Sequence, residues 1–129
     1  MANDLDIKKD YIIKKSIDND LSSVVKPLIK EIYLFSTLLS GTTNIDENIL
    51  KDLKEQDDLI LIREINKFDE LAIKVTTKNG LKIGYIPEED NSIFSRLMDA
   101  GKILSAKIDK INKKDKYYQI HIHIYLVDV

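Results

Sequence analysis

The sequence predicts a mainly β domain: a small, curled antiparallel barrel of about six strands with two short helices, preceded by an N-terminal appendage. Three observations carry this reading. Short runs of alternating or β-branched apolar residues recur between turn signals. An Asn79-Gly80 pair, the strongest hairpin signal in the chain, joins two of these runs. The order of segments is strand, helix, three strands, helix, two strands, so hairpins dominate and helices are insertions between them.

Residues 1–27 read as an appendage. Leu5, Ile7, Ile12, Ile13 and Ile17 recur in loosely helical spacing, Asn19-Asp20 and Ser22-Ser23 interrupt it, and Pro27 marks a boundary. A single helix of this length is marginal in water, so it needs a surface to dock on, in the domain or in a second subunit. Residues 28–129 form the domain. Its first strand runs over 30–40, with Ile32, Leu34 and Leu38 on one face and Tyr33, Phe35, Thr37 and Leu39 on the other, and Gly41 ends it. Asp46-Glu47-Asn48 starts a short helix through Leu50 and Leu53, with acids where the helix dipole favours them. Leu59 to Ile62 is a buried type of strand, followed by a polar turn from Arg63 to Asp69. Leu71, Ile73 and Val75 alternate with Ala72, Lys74 and Thr76 as the next strand, and Leu81 to Ile86 returns as its hairpin partner. Pro87-Glu88-Glu89-Asp90 opens a helix with Ile93, Phe94, Leu97 and Met98 as its apolar stripe and Gly101 as its stop. Ile103 to Ile111 and Tyr117 to Val127 are two long strands joined by the polar turn 112–116. On the last strand Ile120, Ile122, Ile124 and Leu126 share one face, and His121, His123, Tyr125 and Val127 the other.

Composition bounds the function. The chain has 129 residues, 43% hydrophobic and 33% charged, the proportions of one globular domain able to bury a core. Cysteine is absent, which excludes disulfides and thiolate metal sites and fits a reducing compartment. No apolar run approaches the roughly 20 residues that span a bilayer, and the acidic N-terminus lacks a signal core, so a cytoplasmic protein is expected. The net charge of −2 argues against strong sequence-independent binding to duplex nucleic acid. The charge is uneven, with three Lys against seven acids over 28–58 and six Lys against three Asp over 102–129. The basic C-terminal end reads either as a local positive face or as Lys guarding a hairpin edge.

No nucleotide-binding signature, metal cluster or nucleophile elbow is present. The most informative stretch is Arg63-Glu64, Asn66 and Phe68-Asp69, leading into Ala72-Ile73-Lys74-Val75, then Gly84-Tyr85-Ile86-Pro87 and Ala100-Gly101. Read from the residues alone, Phe68 is a core aromatic closing the barrel end. On the same reading Asp69 is a turn residue whose carboxylate bonds neighbouring N–H groups. Arg63 is read as structural, pairing with Glu64, Glu70 or Asp69. His121 and His123, two apart on a strand, would supply half a zinc site, although no spacing identifies the remaining ligands. No carboxylate is paired with a recognisable base or nucleophile, so intrinsic catalysis is not expected, and no cofactor is implied.

In this order, and with Ser40-Gly41-Thr42-Thr43 at the end of the first strand, these residues resemble the HIRAN domain family over roughly 30–127. The resemblance implies a modified, oligonucleotide-binding type of barrel, found alone in bacteria and fused to fork-remodelling helicases and nucleases in eukaryotes. It implies a non-enzymatic module that captures the 3′-hydroxyl end of single-stranded DNA in support of repair or replication enzymes. Carried onto this chain, Phe68 stacks on a terminal base, Asp69 accepts the terminal hydroxyl, Gly41, Thr43 and Asn66 line the pocket, and Tyr85 lies beside it. The chain departs from the pattern in three ways. Its turn is one residue shorter and lacks a proline, the segment after Gly41 reads through Ile45 where end-binding members carry an Arg and a second aromatic, and Glu88 replaces a phosphate-contacting Lys. The rival reading is a protein-interaction or homo-oligomerisation module, motivated by the appendage and the two-faced apolar first strand.

Overall fold

A computed structural model describes residues 30–115 and 117–128; the appendage expected over 1–27 lies outside them. The elements follow the expected order. Strand β1 (Lys30–Leu38) leads to a single 3-10 turn at Thr42–Asn44 and helix α1 (Glu47–Asp52). Strands β2 (Asp58–Arg63), β3 (Ile73–Thr77) and β4 (Lys82–Tyr85) follow, then helix α2 (Glu88–Asp99) and strands β5 (Leu104–Lys113) and β6 (Tyr118–Asp128). The six strands form one sheet in the order β1-β6-β5-β2-β3-β4, which curls into a half-barrel.

The sheet curls because one face is apolar and two ladders are irregular. Ile73, Val75, Ile83, Ile108, Ile120, Ile122 and Ile124 are essentially inaccessible and form the core with Phe94 of α2. Burying an Ile side chain stabilises by roughly 1.5–3 kcal/mol, so this face alone supplies most of the driving force. Register shifts between Val75 and Thr76 and between Ile108 and Lys110 add local twist. The β3–β4 hairpin has a three-residue loop, 78–80, as the Lys78-Asn79-Gly80 turn predicts. Thr77 N–H donates to the Leu81 carbonyl, Gly80 N–H donates to the Thr77 carbonyl, and Gly80 takes the left-handed conformation at φ 85°.

The outer strands β1 and β4 come together at one end. Ser40 and Tyr85 exchange both backbone hydrogen bonds, at 2.9 and 3.0 Å, as an isolated antiparallel bridge. Gly84 permits this approach. A Cβ there would stand 2.7 Å from the Ser40 carbonyl oxygen, a distance no side chain tolerates. Helix α2 lies between β1 and the turn that precedes β3. Phe94 meets Phe35 at 5.6 Å, Thr37 donates to Asp90 at 2.8 Å, and Asn91 and Ser95 face the turn. The helix therefore differs from its expected stripe. Ile93 is exposed, whereas Asn91 and Ser95 are buried, because the surface they meet is a polar turn rather than the sheet. Gly101 ends the helix at φ 92°, with Lys102 N–H donating back to Leu97. Among the described residues no helix is long and apolar enough to cross a membrane.

Gly84→Ala should force the β1 and β4 ends apart and cost about 1–3 kcal/mol, as overpacking does elsewhere. A lowered urea midpoint is expected; a midpoint equal to that of the unmodified protein would show that the bridge is dispensable.

Candidate functional site

The turn between β2 and β3 is fixed by three side chains. Arg63, at the end of β2, spans it. Its Nη1 donates to the Ala72 carbonyl at 2.8 Å and its Nη2 to the Glu70 carbonyl at 3.0 Å. The same guanidinium grips both oxygens of Asp99 at the end of α2, through Nε at 2.9 Å and Nη2 at 3.1 Å. This forked pair raises the Arg63 pKa and lowers that of Asp99. Asn66 organises the tip: its Oδ1 accepts from the Phe68 and Asp69 N–H groups at 2.9 and 2.8 Å. Asp69 fixes the return, accepting from Leu71 N–H at 2.9 Å through Oδ1 and from Asn91 Nδ2 at 2.8 Å through Oδ2. Ser95 of α2 donates to the Leu71 carbonyl.

With its polar groups satisfied internally, the turn presents an apolar tip. Phe68 is 83% exposed and Ile65 78%. Opposite Phe68 stands Tyr85 at the end of β4, whose hydroxyl donates to Glu64 Oε2 at 2.8 Å; Asn66 Nδ2 donates to the same oxygen at 3.0 Å. The Tyr85 hydroxyl, then Asn66, holds the Glu64 carboxyl below its ordinary value of 4.5. The Glu64 carboxylate in turn raises the Tyr85 phenol above 10.0. Gly41, left-handed at φ 71°, passes beside the Tyr85 ring. Between these walls lies an open pocket of about 290 Å³, lined by Asn66, Phe68, Asp69 and Tyr85 together with Ser40, Ala72, Ile86 and Glu88.

Four of the residues singled out in the sequence, Asn66, Phe68, Asp69 and Tyr85, thus share one pocket, whereas Gly41 lies beside the Tyr85 ring without lining it. Thr43 does not line it. It faces a separate cleft of about 220 Å³ with Thr42, Lys113, Lys114 and Tyr118, because the 3-10 turn carries it away from Tyr85. Phe68 is no core aromatic. Asp69 is the expected turn organiser while also facing the pocket, since a carboxylate offers about four acceptor positions and two are taken. Arg63 is structural, as expected, but its carboxylate partner is Asp99, brought in from α2, and it meets Glu70 only through the backbone. His121 and His123 lie on the outer sheet face. His123 packs edge-on against Tyr33 at 5.2 Å and sits 3.4 Å from Asp109. Among the described residues no group of three or more His, Cys, Asp or Glu is placed to hold a metal ion. Glu64's link to Tyr85 and the role of Asn91 were not anticipated. Asn91 and Ser95, small polar residues four apart on an otherwise apolar helix side, were the available signal for a polar contact surface.

The model of the HIRAN domain matches residues 32–127 of this chain. The chain belongs to the HIRAN domain family. HIRAN domains are nucleic-acid-binding modules, typically non-catalytic by themselves. Two crystal structures share the fold. A Lactobacillus plantarum protein superposes with a TM-score of 0.71 at 23% identity, covering 78% of this chain and 99% of its own. The HIRAN domain of human HLTF superposes with a TM-score of 0.60 at 17% identity, covering 75% and 78%. No curated protein matches the chain.

The Glu64–Tyr85 bond sets a pH window. A lowered carboxyl contributes stability above its ordinary value of 4.5 that is lost as pH falls through the lowered one. A raised phenol contributes stability below 10.0 that is lost as pH rises through the raised value. Tyr85→Phe should return the Glu64 titration toward 4.5, read by carboxyl carbon NMR; an unmoved midpoint would mean that this bond does not hold Glu64.

Proposed function

We propose that the pocket between Phe68 and Tyr85 binds the 3′-hydroxyl end of single-stranded DNA. The domain would act in the cytoplasm beside a helicase or nuclease of repair or replication. One observation carries the reading: the 83% exposed Phe68 ring and Asp69 line the same open pocket. Stacking on an exposed aromatic is worth about 1–3 kcal/mol per base and tolerates every base. The open acceptor positions of Asp69 suit a hydroxyl proton. A terminal phosphate would instead meet Asp69 and Glu88, both lining the pocket, and Glu64 behind it.

Fluorescence anisotropy with 3′-hydroxyl, 3′-phosphate and circular oligonucleotides tests this, with binding expected for the first alone. Phe68→Ala should weaken it roughly 5- to 150-fold, the equivalent of about 1–3 kcal/mol, while leaving the melting temperature unchanged because the ring contributes nothing to the core. Asp69→Ala is a poorer probe, since it also removes acceptors from Leu71 and Asn91. Exposed Ile32 and Leu38 on β1 and Ile60 and Ile62 on β2 favour a second reading, a surface for another protein or a second copy. Equal weak binding to all three oligonucleotides, with concentration-dependent assembly on a sizing column, would establish that reading instead.

A further inference from the structure

We propose that Lys67 and Lys82 are the phosphate contacts of this site, each parked on an aromatic ring of the pocket until a base takes its place. The inference rests on the nucleic-acid reading of the pocket and adds what neutralises the strand's charge there. The Lys67 ammonium lies 5.2 Å from the centre of the Phe68 ring, and the Lys82 ammonium 5.0 Å from the centre of the Tyr85 ring. Both side chains are exposed. Lys78 and Lys107, by contrast, sit against the carboxylates of Asp58 and Glu31.

The charged groups of the pocket itself are anionic. Asp69 and Glu88 line it, and Glu64 backs its Tyr85 wall. A sugar–phosphate chain leading out of the pocket has to be met by cations at its rim, and the lysines on the two rings stand there. Base stacking on an aromatic face outweighs an exposed cation–π contact, so an arriving base displaces the ammonium. The ammonium rides on a flexible four-carbon stem and remains tethered beside the ring it left, within reach of the phosphate attached to that base. The same ring thus serves a cation in the free protein and a base in the complex, and Glu88 need not be compensated at its own position.

The test is the salt dependence of binding to a short 3′-hydroxyl oligothymidylate, compared between the unmodified protein and the double variant Lys67→Gln, Lys82→Gln. Thymidine, which carries no phosphate, is titrated in parallel against the Phe68 ring resonances. Lys54→Gln, outside the pocket lining, controls for net charge. Each phosphate contact on a single strand contributes about 0.7 to the slope of log affinity against log salt. Between 50 and 200 mM salt the double variant should therefore lose about sevenfold less affinity than the unmodified protein, while thymidine binds it as well or better. An unchanged slope in the double variant, with oligonucleotide binding intact, overturns the lysine assignment and leaves the pocket reading standing. If neither thymidine nor the oligonucleotide moves the Phe68 resonances, both fall together.

Discussion

The site depends on Arg63. A turn of polar backbone between two buried strands has to satisfy its own carbonyls, and a single guanidinium does so at Glu70 and Ala72 while holding Asp99 in a fork. That fork ties the end of α2 to the end of β2, so the helix and the turn are positioned by the same group. Asn91 and Ser95 then meet the turn along one side of the helix and complete the seam. A lysine could not substitute, because a point charge lacks the planar array of donors that reaches a carboxylate and two carbonyls together.

This over-determined turn explains how the protein displays Phe68 at all. An exposed phenylalanine stabilises nothing in a monomer, and a loosely held one would collapse onto the nearest apolar surface. Here the backbone of Phe68 and Asp69 is pinned by Asn66, and Asn66 is itself held by Glu64, which Tyr85 holds in turn. The chain of bonds runs from one pocket wall to the other, so the spacing of the two rings is set by side chains that ligands need not touch. The Ser40–Tyr85 bridge, made possible by Gly84, anchors the far end of that chain to the half-barrel.

The sheet was legible because its signals are local. The isoleucine alternation of β6 and the Asn79-Gly80 turn each name one element, and their order allows few topologies. The pocket was partly legible: Asn66, Phe68 and Asp69 are neighbours in sequence, and Tyr85 lies one hairpin away. What stayed hidden are pairings set by docking. Nothing local in Arg63 selects Asp99, 36 residues on, over the nearer Glu64 or Asp69. Ile93 left its expected buried face for the same reason, since helical periodicity gives the faces of α2 but not which surface each will meet. Thr43 was misplaced because one 3-10 turn redirects the chain within three residues.

A nucleic-acid-binding family need not build every member as a basic surface. This chain carries a net charge of −2, and its pocket gathers carboxylates. Such a site cannot derive affinity from neutralising many phosphates; on the proposed reading its selectivity would come from a ring that accepts any base and from acceptors that suit a hydroxyl. An interior nucleotide would have to thread a phosphate on each side past Asp69 and Glu88, whereas a chain end brings a phosphate on one side only. On the proposed reading, the acidic character that weakens contact with the backbone would therefore discriminate in favour of the end. It makes Glu88 consistent with binding, provided that the cations which hold the departing strand sit at the rim of the pocket rather than inside it.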